Sequence, residues 1–254
     1  MKKIGEGYRK TTRIIHGAAR SAKWDFAHHV VPPLTSSTTY SLESVRRGAR
    51  GFAEYGQLPE DPSEPPVYIY DRLGEPTRGL LESELADMEG AEACATFASG
   101  MAAIAAGLGA VLRSGDEIVA HTLLYGCTHS LFTRWFPRLG IKVTRVDFTD
   151  ARALAAAVNS KTRVLYYESP VNPTLDLIDV RAVSALCAAA NRSRKNGKKL
   201  YSIIDNTFAT PFCQRPLEMG ADMVVYSLTK NIGGFGTEVG GAVLCSKELY
   251  PEVM

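Results

Sequence analysis

A lysine placed after two hydroxyl residues and before a glycine run is the group with the most evident chemistry: Ser227-Leu228-Thr229-Lys230, then Asn231-Ile232-Gly233-Gly234-Phe235-Gly236. It follows an apolar run that reads as a strand. Burial at a strand end disfavours an ammonium, and a neutral amine there can form a Schiff base with an aldehyde. By the two-residue strand period, Ser227 and Thr229 share one side and could donate to a phosphate. Upstream, the apolar run Ile203-Ile204 ends in Asp205-Asn206-Thr207, an acid that either meets a cationic ring or caps the next turn. Earlier still, Ser99-Gly100-Met101 opens a helix whose free amides and positive end suit a phosphate, although Ser-Gly is also an ordinary N-cap. In chain order these are a phosphate cup, an acid for a ring nitrogen, and hydroxyls with a Schiff-base lysine. They are the parts that a pyridoxal-phosphate enzyme needs, with Asp205 keeping the ring nitrogen protonated so that the ring acts as an electron sink.

Such groups need a scaffold that gathers strand ends. Leu80, Leu81, Leu85 and Met88 recur at helical spacing, with Gly90 as C-cap. Strands are predicted at 93–97, 117–121, 141–148, 163–168, 200–204, 223–227 and 242–245, alternating with helices at 100–112, 127–138, 152–158 and 180–191. This alternation predicts an α/β fold, a mostly parallel sheet with helices on both faces, whose ligands sit at the carboxyl ends of strands. Residues 1–66, with Pro32-Pro33, a polar cluster at 35–39 and a proline-rich acidic piece at 59–66, read as an arm of loops and short helices. Residues 67–254 read as the cofactor-binding α/β domain. The basic run Arg192, Arg194, Lys195, Lys198 and Lys199 reads as a solvated helix end.

The 254 residues have a mass of 27.6 kDa, 45% hydrophobic and 22% charged, which excludes fibrous and wholly disordered chains. Lys and Arg number 29 against 27 Asp and Glu, a net +2 that argues against a nucleic-acid partner. The five cysteines, Cys94, Cys127, Cys187, Cys213 and Cys245, form no C-x-x-C, so neither a disulfide framework nor a structural metal site is expected. The uncharged stretch 93–112 is rich in Ala and Gly and reads as a buried strand–turn–helix rather than a membrane span. The basic N-terminus has no apolar signal core. A soluble cytoplasmic protein without metal, membrane or nucleic-acid partners is the expectation.

Several ordered segments then carry a resemblance: Tyr70-Asp71-Arg72 with Pro76-Thr77, Ala98-Ser99-Gly100-Met101-Ala102, Leu124-Tyr125-Gly126-Cys127-Thr128, Glu168-Ser169-Pro170 with Asn172-Pro173, Asp205-Asn206-Thr207, the stretch 214–222, and Ser227-Leu228-Thr229-Lys230. The sequence resembles the pyridoxal-phosphate enzymes of cysteine and methionine metabolism, among them cystathionine gamma-synthase and gamma-lyase, methionine gamma-lyase and the acylhomoserine sulfhydrylases. The resemblance implies the large domain of the fold type I pyridoxal-phosphate transferases. It implies that Lys230 bonds the cofactor aldehyde and shuttles protons at the substrate's α- and β-carbons, that Asp205 pairs with the pyridine nitrogen, and that Gly100, Met101, Ser227 and Thr229 hold the phosphate. Tyr125 would stack on the ring and help protonate the leaving group, Asn172 would lie near the ring's phenolic oxygen and the substrate carboxylate, and Cys127 would lie near the substrate. Tyr70 and Arg72 would reach the phosphate of a neighbouring subunit, which implies a homo-oligomer, dimer or tetramer, with the site shared between copies. Family members carry a further, smaller C-terminal domain, so this chain is expected to hold an arm plus most of a cofactor domain.

The sequence departs from the family pattern where Glu75 replaces the usual Asn before Pro-Thr and where Phe235 replaces the usual His after two glycines. The expected activity is a pyridoxal-phosphate lyase or transferase performing γ-elimination or γ-replacement, leaning to methionine or cystathionine over acylhomoserine substrates. A truncated, non-catalytic cofactor-binding or assembly protein is the alternative of another class. A nucleotide-binding oxidoreductase finds no G-x-G-x-x-G after an early strand.

Overall fold

Mainly apolar runs of five to seven residues become the inner strands of one sheet because both sheet faces are covered, while the edge strand at Lys142–Val146 keeps polar alternation. The computed structural model describes residues 9, 11–12, 34–55, 67–194 and 197–254. Pro32-Pro33, the proline-rich piece at 59–66 and Lys195 lie outside them. Helix α1 (Val45–Ala53) is capped by Ser44, and α2 (Pro76–Glu89) ends at Gly90, whose φ of 80° is the left-handed cap that the sequence predicts. Then follow β1 (Ala93–Phe97), α3 (Gly100–Val111), β2 (Glu117–His121), α4 (Gly126–Ser130), β3 (Lys142–Val146), α5 (Ala151–Ala157) and β4 (Thr162–Glu168). The remainder is α6 (Val180–Ser193), β5 (Tyr201–Asp205), α7 (Thr210–Cys213), β6 (Met223–Ser227), β7 (Gly241–Cys245) and α8 (Tyr250–Val253).

The strand order is β1-β7-β6-β5-β4-β2-β3, and β7 alone runs against the others. The α/β class and the mostly parallel sheet therefore stand. Alternate residues of each strand feed two cores. Ile118, Val164, Tyr166, Ile203 and Val225 pack with Leu108 of α3 on one face, while Val119, Leu165, Tyr167, Ile204 and Val224 pack with Leu85 of α2 and Val183 of α6 on the other. The uncharged stretch 93–112 is the β1–turn–α3 unit, and among the described residues no helix is long and apolar enough to cross a membrane.

Two expectations change. The helix predicted at 127–138 is α-helical only to Ser130, then π-helical over Leu131–Trp135 and 3-10 over Phe136–Leu139. Pro137 has no amide and its ring crowds the carbonyl four residues earlier, so the ladder cannot continue in α register. The basic tail after α6 is not merely solvated: Lys198 Nζ meets Asp116 Oδ1 at 2.9 Å and Lys199 Nζ meets Asp222 Oδ1 at 2.8 Å, tying the tail to the amino-terminal edge of the sheet.

Candidate active site

The carboxyl ends of β4, β5 and β6 lie side by side, with Glu168 and Asp205 as register partners. Asp205 as a residue is half-buried, but its carboxyl group is enclosed, and burial raises its pKa above the ordinary carboxylate value while hydrogen bonds from Thr207 pull the other way. One of those bonds runs from Thr207 N to Asp205 Oδ1 at 3.0 Å. An enclosed acid held up by desolvation is completed by a cationic partner, and a protonated ring nitrogen is such a partner. Thr207 also accepts from Ser227 N at 2.8 Å, locking the loop after β5 to the end of β6.

Beside Ser227 sits the amino end of α3. Ser99 Oγ accepts from Ala102 N at 3.1 Å and Ser99 O from Ala103 N at 3.0 Å, while the amides of Gly100 and Met101 take no partner among the described residues. A Cβ at Gly100 would lie 2.7 Å from Ser227 Cβ and 3.0 Å from its Cα, so only glycine lets the helix start this close to the strand end. The close approach places the Ser227 hydroxyl at a helix amino terminus with open amides, a cradle for an anion.

Lys230 stands three residues beyond the end of β6, in a turn closed by Lys230 N to Ser227 O at 3.3 Å and Gly234 N to Lys230 O at 2.9 Å. Its side chain is exposed, contrary to the expected burial at a strand end, because the strand stops at Ser227. Thr229 also lies outside the strand, so the two-residue period does not govern it. Its hydroxyl donates to Gly240 O at 3.2 Å and accepts from Gly240 N at 3.1 Å, which joins the turn to the start of β7. Phe235 is 87% exposed at the end of the glycine turn.

Tyr125 and Asn172 sit on the segments after β2 and β4. Tyr125 is exposed rather than packed, and its phenol lies against the exposed Cys127, whose hydrogen bond and charge raise the phenol pKa. Both segments are held by one residue to which sequence reasoning assigned no role. Glu168 Oε1 accepts from Tyr125 N at 2.6 Å and Glu168 Oε2 from Asn172 N at 3.2 Å. Its signal was present, an acid ending an apolar strand as Asp205 does, but nothing in one dimension shows which amides it meets.

Tyr70 and Arg72 lie apart from this cluster. The Arg72 guanidinium is 5.6 Å from the centre of the Tyr70 ring, and among the described residues no hydrogen bond or ring contact joins the pair to Gly100, Asp205 or Ser227. Glu75 has a local explanation. It is the N-cap of α2, accepting from Thr77 N at 2.9 Å and from Arg78 N, and from Thr35 Oγ1 at 2.6 Å. A carboxylate does there what an Asn side chain also does, adding negative charge at a helix amino end.

An anion cradle, an enclosed acid and a lysine at neighbouring strand ends suit a molecule with a phosphate, a basic ring nitrogen and an aldehyde, which are the groups of pyridoxal phosphate. Comparison with known proteins agrees. An "L-methionine gamma-lyase" of Fusobacterium nucleatum subsp. polymorphum is 39% identical over 252 residues, 99% of this chain and 58% of that protein. An "O-acetyl-L-homoserine sulfhydrylase" of Leptospira meyeri is 40% identical over 214 residues, 84% of this chain and 44% of its own length. The crystal structure of a putative O-acetylhomoserine (thiol)-lyase from Campylobacter jejuni, which contains a pyridoxyl-lysine monophosphate, superposes with a TM-score of 0.82 at 30% identity, covering 95% of this chain and 55% of that one. The chain thus spans a little over half the length of the methionine gamma-lyases that it matches. A family model described as "Cys/Met metabolism PLP-dependent enzyme" matches residues 11–253, and the chain belongs to that family.

Proposed function

We propose that residues 67–254 form the cofactor domain of a pyridoxal-phosphate carbon–sulfur lyase acting on γ-substituted L-amino acids of the methionine and cystathionine type. The reading rests on the close approach of Gly100 to Ser227, which lies three residues before Lys230 and beside the enclosed Asp205. When bound, pyridoxal phosphate supplies an aldehyde for the substrate amine and a conjugated ring that takes up negative charge from Cα. Asp205 holds the proton on the ring nitrogen. The amides of Gly100 and Met101 and the Ser227 hydroxyl bind the phosphate, and Thr229, with its donor on Gly240, fixes the turn beside it. Lys230 Nζ takes the proton from the substrate Cα, hands it on so that the amine is free again, and then takes one from Cβ, while the Tyr125 hydroxyl protonates the departing sulfur. Asn172 orients the substrate carboxylate. Methionine and water then give 2-oxobutyrate, ammonia and methanethiol. The Tyr125–Cys127 contact supports placing a sulfur-bearing substrate there.

Tyr70 and Arg72, exposed and without contact to their own chain's cluster, support a homo-oligomer in which they serve a neighbouring subunit's phosphate. Five free cysteines support a reducing, cytoplasmic setting. Arg72→Ala is expected to weaken cofactor retention about tenfold to a hundredfold, the range for one lost charge-assisted contact. Equilibrium dialysis with gel filtration checks this, and a monomer that binds the cofactor tightly refutes it.

The function is tested by loading the purified protein with pyridoxal phosphate, reducing with borohydride and mapping the adduct, which is expected on Lys230. Methionine, cystathionine and O-acetylhomoserine with sulfide are then offered. Release of 2-oxobutyrate from methionine without added thiol supports the lyase. The sulfhydrylase in the comparisons favours the second reading, acylhomoserine sulfhydration, which sulfide-dependent homocysteine formation would establish instead.

A further inference from the structure

Glu168 is 3% exposed, ends β4, and faces Asp205 across the β4–β5 register. Its two oxygens accept from two amides that belong to different segments, Tyr125 N and Asn172 N. Tyr125 is the N-cap of α4 and has no side-chain cap of its own, so Glu168 is what fixes the start of that helix. Across from it, Arg145 of β3 approaches Glu168 electrostatically, bonds Thr122 O, and lies with Nη1 2.6 Å from His129 Nδ1 of α4. The short segment 122–125 is therefore held at its beginning by Arg145 and at its end by Glu168, opposite charges on β3 and β4, the two strands that flank β2. Burial and the Asp205 charge push the Glu168 pKa up to about 7, against the two amides and Arg145, which lower it. An acid that costly to bury is retained here with both oxygens in use, since only a carboxylate offers two acceptor oxygens at one side-chain end.

We propose that Glu168 is a positioning residue of the active site: it clamps the Tyr125 and Asn172 segments against the strand end that carries Asp205, and so sets where the phenol and the carboxamide meet the substrate. The inference rests on the function proposed above for Tyr125 and Asn172. Glu168 itself touches no reacting atom. Its effect on catalysis passes through the two amides.

The test uses the wild-type chain, E168Q and E168A, each prepared with and without pyridoxal phosphate. Hydrogen–deuterium exchange is read at residues 122–127 and 171–175, together with melting temperature, yield of the borohydride-fixed Lys230 adduct, and methionine turnover. Without cofactor, E168A is expected to exchange faster at both segments by about tenfold or more, as for loss of a charge-assisted hydrogen bond. E168Q has one acceptor oxygen and is expected to release one segment while the other stays protected. Adduct yield is expected to stay within about twofold, because the Asp205, phosphate and Lys230 groups are not held by Glu168, while kcat falls about tenfold to a hundredfold as the proton donor is displaced and KM rises as the Asn172 carboxamide is released from the substrate carboxylate. Unchanged exchange at both segments in E168A overturns the clamp and leaves the cofactor reading standing. If E168A does not fold, unchanged protection of both segments in E168Q, with unchanged kcat, overturns it equally. Absence of a Lys230 adduct in the wild type overturns the cofactor reading instead, and the exchange measured without cofactor still decides the clamp.

Discussion

Lys230→Ala is expected to leave the fold in place and remove the chemistry. The side chain is exposed, makes no hydrogen bond or ion pair among the described residues, and sits in a turn closed by backbone hydrogen bonds, so the truncation should shift stability by no more than about 0.5 kcal/mol. The amine is nevertheless the proposed covalent attachment point and the base for two carbon protons. Loss of a positioned proton-transfer group alone lowers rates by about 10²- to 10⁴-fold. With attachment lost as well, turnover of methionine should fall toward the upper end of that range or beyond, and borohydride should fix no cofactor. Circular dichroism and melting curves establish that the variant is folded, and peptide mapping of the reduced protein establishes the adduct. A variant that still fixes pyridoxal phosphate at another lysine with wild-type turnover refutes the assignment. The separation of folding from chemistry follows from geometry. Had Lys230 been buried at the strand end, the same substitution would have confounded the two.

The second large effect concerns stability. Glu89, at the end of α2, is fully buried and accepts from the Tyr226 hydroxyl at 2.5 Å, and burial raises its pKa from 4.5 to about 7. The folded chain therefore holds a proton there that the unfolded chain has released at pH values between these two limits. Stability from this group is complete below the unfolded value of 4.5 and is lost as pH rises through about 7. The full loss is about 3 kcal/mol, reached above neutrality. Glu89→Gln keeps an oxygen for the Tyr226 hydroxyl and carries no charge, so it should remove most of this decline. It gives up the long contact from Leu217 N at 3.5 Å and the attraction of Arg215 for the ionised acid. Unfolding measured at pH 5 and pH 8 should show a smaller pH difference for the variant than for the wild type, with the variant the more stable at pH 8. Parallel pH dependence in both proteins refutes the account. Tyr226 also accepts from Asn206 Nδ2 at 2.6 Å, and Asn206 adjoins Asp205, so Glu89 lies beneath the proposed cofactor acid without being part of it.

The strands were legible because, apart from the alternating edge strand β3, each is a short, mainly apolar run, and β1, β2 and β6 fall where the spacing places them. The α2 boundary was legible for a different reason: Gly90 is a chemical stop, a residue free to take φ of 80°. The region after Ser130 was not, because the apolar pattern of Phe132 and Phe136 fits any helix, and the choice between α, π and 3-10 register is made by Pro137 and by packing. The fate of Lys198 and Lys199 was also hidden, since charge runs carry no record of the acids they meet across 82 and 23 residues. In the candidate site, Lys230, Asp205, Gly100 and Ser227 were found as residue types at strand ends, and they do gather at one end of the sheet. The exposure of Lys230 and the commitment of Thr229 to Gly240 were not foreseen, because a two-residue period says nothing once the strand has ended.

What the sequence by itself determined, then, is the inventory: an α/β chain of apolar strands, a lysine, an acid, and a helix start with glycine, in an order that identifies the cofactor chemistry. That inventory depends on local rules of period, capping and residue type, which act within a few positions of the chain. Only the tertiary structure decided that Glu168 holds Tyr125 and Asn172 by their amides, that Gly100 is glycine because Ser227 packs against it, and that Asp205 is enclosed. Those facts join residues 4 to 127 positions apart. They arise from strand order, which sets desolvation and close approach and which no local spacing encodes.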